Sequence, residues 1–238
     1  LRMSLAEALM NLVSVPVIDL DLVRLSANWM AACGDVKDDY SLRVGVEAIS
    51  QMCTQLGIAI PVGKDSLSMR TKWTEEQEEF EVKSPLSGVI TAMAPVADVS
   101  KAVTTELHPC GSLDLYHLRL NSRTRMGGSI FEEVTGSLMF ETPDIDDIEA
   151  LKNLFNAIQE LIQRGWITAL HDVSDGGIMT TLAEIAFTNK IGMTILLSDD
   201  VQNEAQIFQE LFSEEVGVVI QIHAEHEGSA LAFITQHN

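Results

Sequence analysis

Short β-like apolar runs alternate with amphipathic helical stretches along the whole chain, and this alternation restricts the fold more than any other feature. Leu5, Ala8, Leu9 and Leu12 recur at three-to-four spacing, which predicts a helix over 3–13. Residues 22–30 read as a strand ending in Ser26-Ala27-Asn28-Trp29. A second helix is expected over 42–56, with Val44, Val46, Ile49, Met52 and Cys53 on its apolar side and Gly57 as its stop. A buried strand over 58–62 then delivers Gly63-Lys64-Asp65-Ser66-Leu67-Ser68-Met69 as a loop. Glu75, Glu76, Glu78 and Glu79, bordered by Trp73 and Phe80, read as a solvated hairpin or loop, and 86–96 as a central strand.

Composition shifts at 103–112, where Thr104, Thr105, Pro109 and Gly111 mark a domain boundary. A second series follows. It comprises a strand over 113–120, a helix opened by Gly127-Gly128-Ser129, and a helix within 144–164 carrying Leu151, Leu154, Phe155, Ile158, Leu161 and Ile162 on one face. A strand over 167–170 runs into His171-Asp172-Val173-Ser174-Asp175-Gly176-Gly177. A helix to 187, a strand over 193–197, a helix over 206–212, a strand over 216–222 and a last helix complete the chain. The expected class is α/β (α+β), with an N-terminal half at 1–105 and a C-terminal half at 106–238.

With 238 residues, 46% of them hydrophobic, and a mean hydropathy of +0.15, the chain can bury a sizeable core. Fifteen Lys and Arg stand against 35 Asp and Glu, a net charge of −20. So acidic a surface repels phosphate backbones and anionic lipid, which excludes nucleic acid and membrane surfaces as partners. No apolar run approaches the roughly 20 residues of a membrane helix. Cys33, Cys53 and Cys110 form no CxxC pair and are read as small hydrophobes in a reducing, cytoplasmic compartment. The chain opens at Leu1 and enters directly into helix-like sequence, so a piece of a longer polypeptide is expected.

Glu7 and Asn11 lie four apart, one turn from each other on a single helical face. A carboxylate and a carboxamide there are hard oxygen donors of the kind Mg²⁺ accepts, although the same spacing is common on exposed helices. His171-Asp172-Val173-Ser174-Asp175-Gly176-Gly177 has the order strand, polar residues, paired glycines, helix. It suits the rim of a ligand crevice at strand C-termini, and equally an acidic turn with a helix cap. Gly63-Lys64-Asp65-Ser66 fails as a Walker loop: Ile58 stands where the first glycine belongs, and Asp65 follows the lysine. It reads as either a phosphate-contact loop or a plain turn. Arg123 and Arg125 ahead of Gly127-Gly128 could pair with an anion or stand as solvated charges. His223 and His226 show no zinc spacing, and no nucleophile elbow is present.

Four stretches carry a resemblance. Glu7-Ala8-Leu9-Met10-Asn11, Leu25-Ser26-Ala27-Asn28-Trp29-Met30-Ala31-Ala32, Pro61-Val62-Gly63-Lys64-Asp65-Ser66-Leu67-Ser68-Met69 and His171-Asp172-Val173-Ser174-Asp175-Gly176-Gly177, in that order, closely resemble the large single-chain form of phosphoribosylformylglycinamidine synthase. The resemblance implies a fragment of an ATP- and glutamine-dependent ligase of purine biosynthesis that converts formylglycinamide ribonucleotide to formylglycinamidine ribonucleotide. It covers most of the second of two copies of the aminoimidazole-ribonucleotide-synthetase fold, as a truncated N-terminal half and a C-terminal half.

On that resemblance Glu7, Asn11 and Asp172 are Mg²⁺ ligands and Ser174 contacts ATP or ADP at an auxiliary nucleotide site. No residue is assigned a catalytic role, and the fragment is expected to be inactive alone. The implied partners are the rest of the parent chain, namely the first synthetase copy and the glutaminase domain. Self-association as a dimer is also expected, because a truncated copy exposes a sheet edge and apolar surface. Ala6 stands where the family usually has Gly, and Glu133 where Gln is expected. The competing expectation is a non-catalytic interaction module that kept the fold and lost nucleotide.

Overall fold

The computed structural model describes residues 1–197 and 201–237 and divides them into two compact units. The first comprises Leu1–Ala8 and Ile18–Pro95, the second Leu9–Val17 and Val96–Asn238. Among the described residues no helix is long and apolar enough to cross a membrane.

Helix α1 (Arg2–Leu12) opens the chain; strand β1 (Arg24–Met30) and helix α2 (Val36–Leu56) follow. Helix α2 begins six residues earlier than apolar periodicity predicts. Asp35 caps it by accepting from the Asp38 N–H at 3.0 Å, and Asp38 and Asp39 complement the positive end of its dipole. Those first turns are largely exposed, so they carry no apolar stripe to read. The helix stops as expected at Gly57, whose φ of 75° is left-handed.

Strand β2 (Ala59–Ser66) is longer than expected and absorbs Gly63-Lys64-Asp65-Ser66, so these residues are extended and not a loop. The reason is pairing. β2 runs parallel to β1 with Ala27 opposite Gly63, Asn28 opposite Lys64 and Met30 opposite Ser66. A Cβ on Gly63 would fall 2.3 Å from the Ala27 carbonyl oxygen, so the close approach of these strands requires glycine. Strands β3 (Arg70–Glu75) and β4 (Glu78–Lys83) form the expected acidic hairpin. Glu76 and Gln77 turn with φ of 47° and 71°, and the Trp73 and Phe80 rings stack at 5.4 Å between centroids. Strand β5 (Ser87–Met93) pairs antiparallel with β1 in the order β2-β1-β5, so it lies at an edge of this sheet while β1 is central. The core of the unit is built on Leu5, Val23, Leu25, Ala27, Ile49, Met52 and Leu56.

In the second unit, strands β6 (Gly111–Arg119), β7 (Ile167–Val173) and β8 (Gly217–His223) make an antiparallel sheet ordered β6-β8-β7. Helices α3 (Ile130–Thr135), α4 (Ile148–Gln163), α5 (Gly177–Asn189), α6 (Glu204–Phe212) and α7 (Glu227–His237) complete it. The predicted face of α4 is buried: Leu151, Leu154, Phe155, Ile158, Leu161 and Ile162 are all in the core. Every residue of β8 except His223 is buried, as befits the middle strand. On one side of this sheet Val173, Ile178, Ile185 and Val219 form an apolar cluster with Leu115, Leu182 and Leu211 packed on it. Residues 193–197, predicted as a strand from their apolar run, form no strand and pair with none of the described residues.

Candidate functional site

The second unit brings together two sequence-predicted residues 161 positions apart. Asn11, near the end of α1, donates through Nδ2 to Asp172 Oδ2 at 3.3 Å. Asp172 lies at the penultimate position of β7 and is half-buried, while Asn11 is exposed. Glu7 lies one turn earlier on the same helix, exposed, in the part of α1 that belongs to the first unit.

The segment after Asn11 is pinned by a residue that periodicity does not reveal. Gln159, buried on α4, accepts the Val17 N–H at 2.8 Å and donates to the Val13 and Val15 carbonyls at 2.9 and 3.0 Å. One carboxamide thus satisfies three backbone groups of the 13–17 segment and fixes where α1 ends. A lone Gln at an apolar helix position was the available signal.

The carboxylate of Asp172 is also held from its other side. His171 Nδ1 lies 3.2 Å from Asp172 Oδ1 and 2.9 Å from the Asp172 carbonyl oxygen, and His171 Nε2 lies 2.8 Å from Glu184 Oε2 on α5. Both ring nitrogens face acceptors. The imidazole is raised above its ordinary pKa, first by the hydrogen bond to Asp172, against desolvation, with the charges of Asp172 and Glu184 adding. His171 therefore orients Asp172, and Glu184 orients His171.

This donor set fits a hard cation. Rotating the Asn11 carboxamide about its last bond exchanges N–H₂ for oxygen beside the Asp172 carboxylate. That puts two oxygen donors at one point and leaves the remaining coordination positions to water and phosphate, the habit of Mg²⁺. Among the described residues, no group of three or more His, Cys, Asp or Glu is arranged to hold a metal ion.

Past β7 the chain turns sharply. Ser174, half-buried, accepts the Gly177 N–H at 3.0 Å through its carbonyl. Gly176 and Gly177 take φ of 81° and 66°. A Cβ on Gly177 would fall 2.7 Å from the Ser213 carbonyl oxygen and 2.8 Å from the Phe212 carbonyl carbon, so both the turn and the packing demand glycine. The Gly176 N–H at the start of α5 donates to Glu214 Oε1 at 2.8 Å, so the chain's own carboxylate takes the place expected of an external anion.

Of the two arginines that could have met an anion, Arg125 is turned inward and Arg123 stays exposed. Arg125 is only 7% exposed and grips Glu215, 4% exposed, through Nε at 2.5 Å and Nη2 at 2.8 Å. It also lies 3.0 Å from Asp146 and donates to the Asp144 carbonyl. Arg123 lies 3.5 Å from Asp146. In a chain this acidic, internal carboxylates already occupy both of these arginines.

Lys64 on β2 donates to Ser66 Oγ at 2.8 Å. Desolvation comes first among the causes that push the Cys33 thiol upward, with Asp39 adding, and burial raises Cys53, so neither is an activated nucleophile. A cavity of about 710 Å³ lies on the β6 side of the second sheet, and Asn11, Asp172 and Ser174 do not line it.

Residues 1–95 match the family model described as the FGAR-AT PurM N-like domain, and residues 117–238 match that of AIR synthase related protein, C-terminal domain. Solved structures share the fold at low identity. Thermotoga maritima PurL complexed with ATP is 13% identical, with 98% of this chain and 34% of that chain covered and a TM-score of 0.64. Escherichia coli HypE is 14% identical, with 99% and 69% covered and a TM-score of 0.65. The HypE–HypF complex is 14% identical, with 100% and 73% covered and a TM-score of 0.64. The chain spans about a third of PurL and about 70% of HypE.

Proposed function

We infer from a chain that belongs to the AIR synthase related family, through residues 117–238, that it carries an Mg²⁺–nucleotide half-site of an ATP-using enzyme. The observation that carries this reading is the convergence of Asn11 and Asp172 across 161 residues. In it, Asn11 and Asp172 hold Mg²⁺, Glu7 adds a third oxygen from α1, and Ser174, two residues past Asp172, faces the nucleotide. Bound there, Mg²⁺ supplies charge neutralisation for the polyphosphate. His171 and Glu184 keep Asp172 aimed, and Gln159 keeps the end of α1 in place.

The parent activity we propose is conversion of formylglycinamide ribonucleotide to formylglycinamidine ribonucleotide with glutamine and ATP, in the cytoplasm. The amino-terminal match to the FGAR-AT domain and the PurL likeness support it. The 238 residues alone serve as an auxiliary site and scaffold at 1–105 and 106–238, and they bind the synthetase copy and glutaminase domain that complete the enzyme. Self-association as a dimer belongs to the same reading.

The second reading is a module of the same fold that has lost nucleotide and binds a partner, and the similar likeness to HypE, solved in complex with HypF, favours its partner-binding part. Thermal unfolding separates the two. The half-site predicts a rise in Tm with millimolar ADP and Mg²⁺ that EDTA abolishes, by mass action on the folded state. A Tm unchanged by Mg-ADP supports the module.

A further inference from the structure

The carboxylate at the start of α5 does more than cap a helix. Gly176 has no side chain to cap with, and none does so locally. Glu214 Oε1 accepts the Gly176 N–H at 2.8 Å and, at the same time, the Ile130 N–H at 2.9 Å, the first amide of α3. One oxygen thus joins the two glycine-bearing motifs that stand apart in sequence, Gly127-Gly128-Ser129 and Ser174-Asp175-Gly176-Gly177. Its neighbours reinforce the joint. Glu215 chelates Arg125 and accepts its N–H, fixing the approach to the first motif. Phe131 of α3 packs its ring 5.1 Å from that of Phe212, the residue that ends α6. Gly177 lies against the Ser213 and Leu211 carbonyls.

Two backbone N–H groups that converge on one point need a single acceptor able to take both, and a carboxylate oxygen does so most strongly. Glu214 is that acceptor. We propose that Glu214 is a positioning residue that couples the 127–129 loop to the 174–177 turn, so that the two open and shift as one. The consequence for ligand binding rests on the half-site reading, because the turn it holds follows Asp172 and carries Ser174.

Amide hydrogen exchange tests this on the 238-residue chain. In wild type, one opening event frees both amides, so the protection factors of Ile130 and Gly176 agree within about twofold once intrinsic rates are removed. In Glu214→Ala both exchange about tenfold faster or more, the loss expected when hydrogen bonds to a charged acceptor are removed. Val219, in the middle of β8, keeps its protection. Glu214→Gln retains an oxygen acceptor and most of the protection at both amides. Mg-ADP binding, measured well below the Tm, weakens several-fold in the Ala variant and recovers in the Gln variant. Independent exchange of the two amides in wild type overturns the coupling. So does an acceleration at Val219 equal to theirs, since that reports general loss of stability. If wild type binds no Mg-ADP, the half-site reading falls while the exchange ratios still decide the coupling.

Discussion

Glu215→Ala removes a buried carboxylate that accepts from Arg125 Nε, Arg125 Nη2, the Arg125 N–H and Asn121 Nδ2. Breaking one partner of a buried ion pair costs about 3–5 kcal/mol, because the surviving charge stays desolvated. Arg125 retains Asp146 at 3.0 Å and the Asp144 carbonyl, so the loss belongs at the lower end, about 3 kcal/mol. For a protein of this size that lowers Tm by about 6–12 °C. Because the chain forms two units, the assay must follow the second one. Trp166 fluorescence, with Trp29 and Trp73 replaced, reports urea and thermal unfolding there. Glu160→Ala, which breaks the exposed Arg164–Glu160 pair, serves as the control and costs about 0.3–0.5 kcal/mol. A loss below about 1 kcal/mol for Glu215→Ala would falsify the argument that burial sets the worth of this pair.

Other outcomes follow from single features. Burial, with Arg119 adding, pushes His117 down to about 4, so the folded state holds it neutral while the unfolded chain protonates near 6.5. Its contribution is therefore intact above pH 6.5 and is lost as pH falls from 6.5 towards 4, by about 2 kcal/mol at pH 5. Urea midpoints of His117→Leu should fall less steeply than wild type between pH 7.5 and 5, and parallel slopes would refute this. Gly177→Ala must take a left-handed φ and push against the backbone of 211–213; it should destabilise the second unit by at least about 2 kcal/mol in urea unfolding, and a neutral result contradicts the packing described. Gln159→Leu strands the Val17 N–H and two carbonyls, costing about 2–4 kcal/mol and exposing the 13–17 segment to faster amide exchange; protection equal to wild type there refutes its anchoring role.

What the sequence revealed follows from the kind of signal each element leaves. Periodicity located α1, α4, β7 and β8 because each buries a definite face or its whole length, as with Leu151, Leu154, Phe155 and Ile158. It could not show where α2 begins, since that start is set by the Asp35 cap and the helix is exposed there. It misread Gly63-Lys64-Asp65-Ser66 because glycine and polar residues look like a turn. Here the glycine exists to admit the Ala27 carbonyl beside a parallel strand. It misread 193–197 because an apolar run states burial without stating pairing. Sequence left Arg125 open between an anion contact and a solvated charge and reached neither outcome, because its buried partner Glu215 lies 90 residues away. Spacing marked Asn11, and the polar strand end marked Asp172, each as one of two open readings; only the family resemblance joined them in one site. Gln159, Glu184 and Glu214 act on backbone or on other side chains across long separations, which no spacing rule records.

The joint placement of Asn11 and Asp172 is tested most directly by substituting Mn²⁺ for Mg²⁺ and recording amide spectra during titration with ADP. Paramagnetic broadening should strike the Asn11 side-chain amide and the backbone amides of Asp172 and Ser174 first, and Asp172→Asn should remove it from all three. Broadening that centres elsewhere, or spectra that stay sharp at saturating Mn-ADP, contradicts the account.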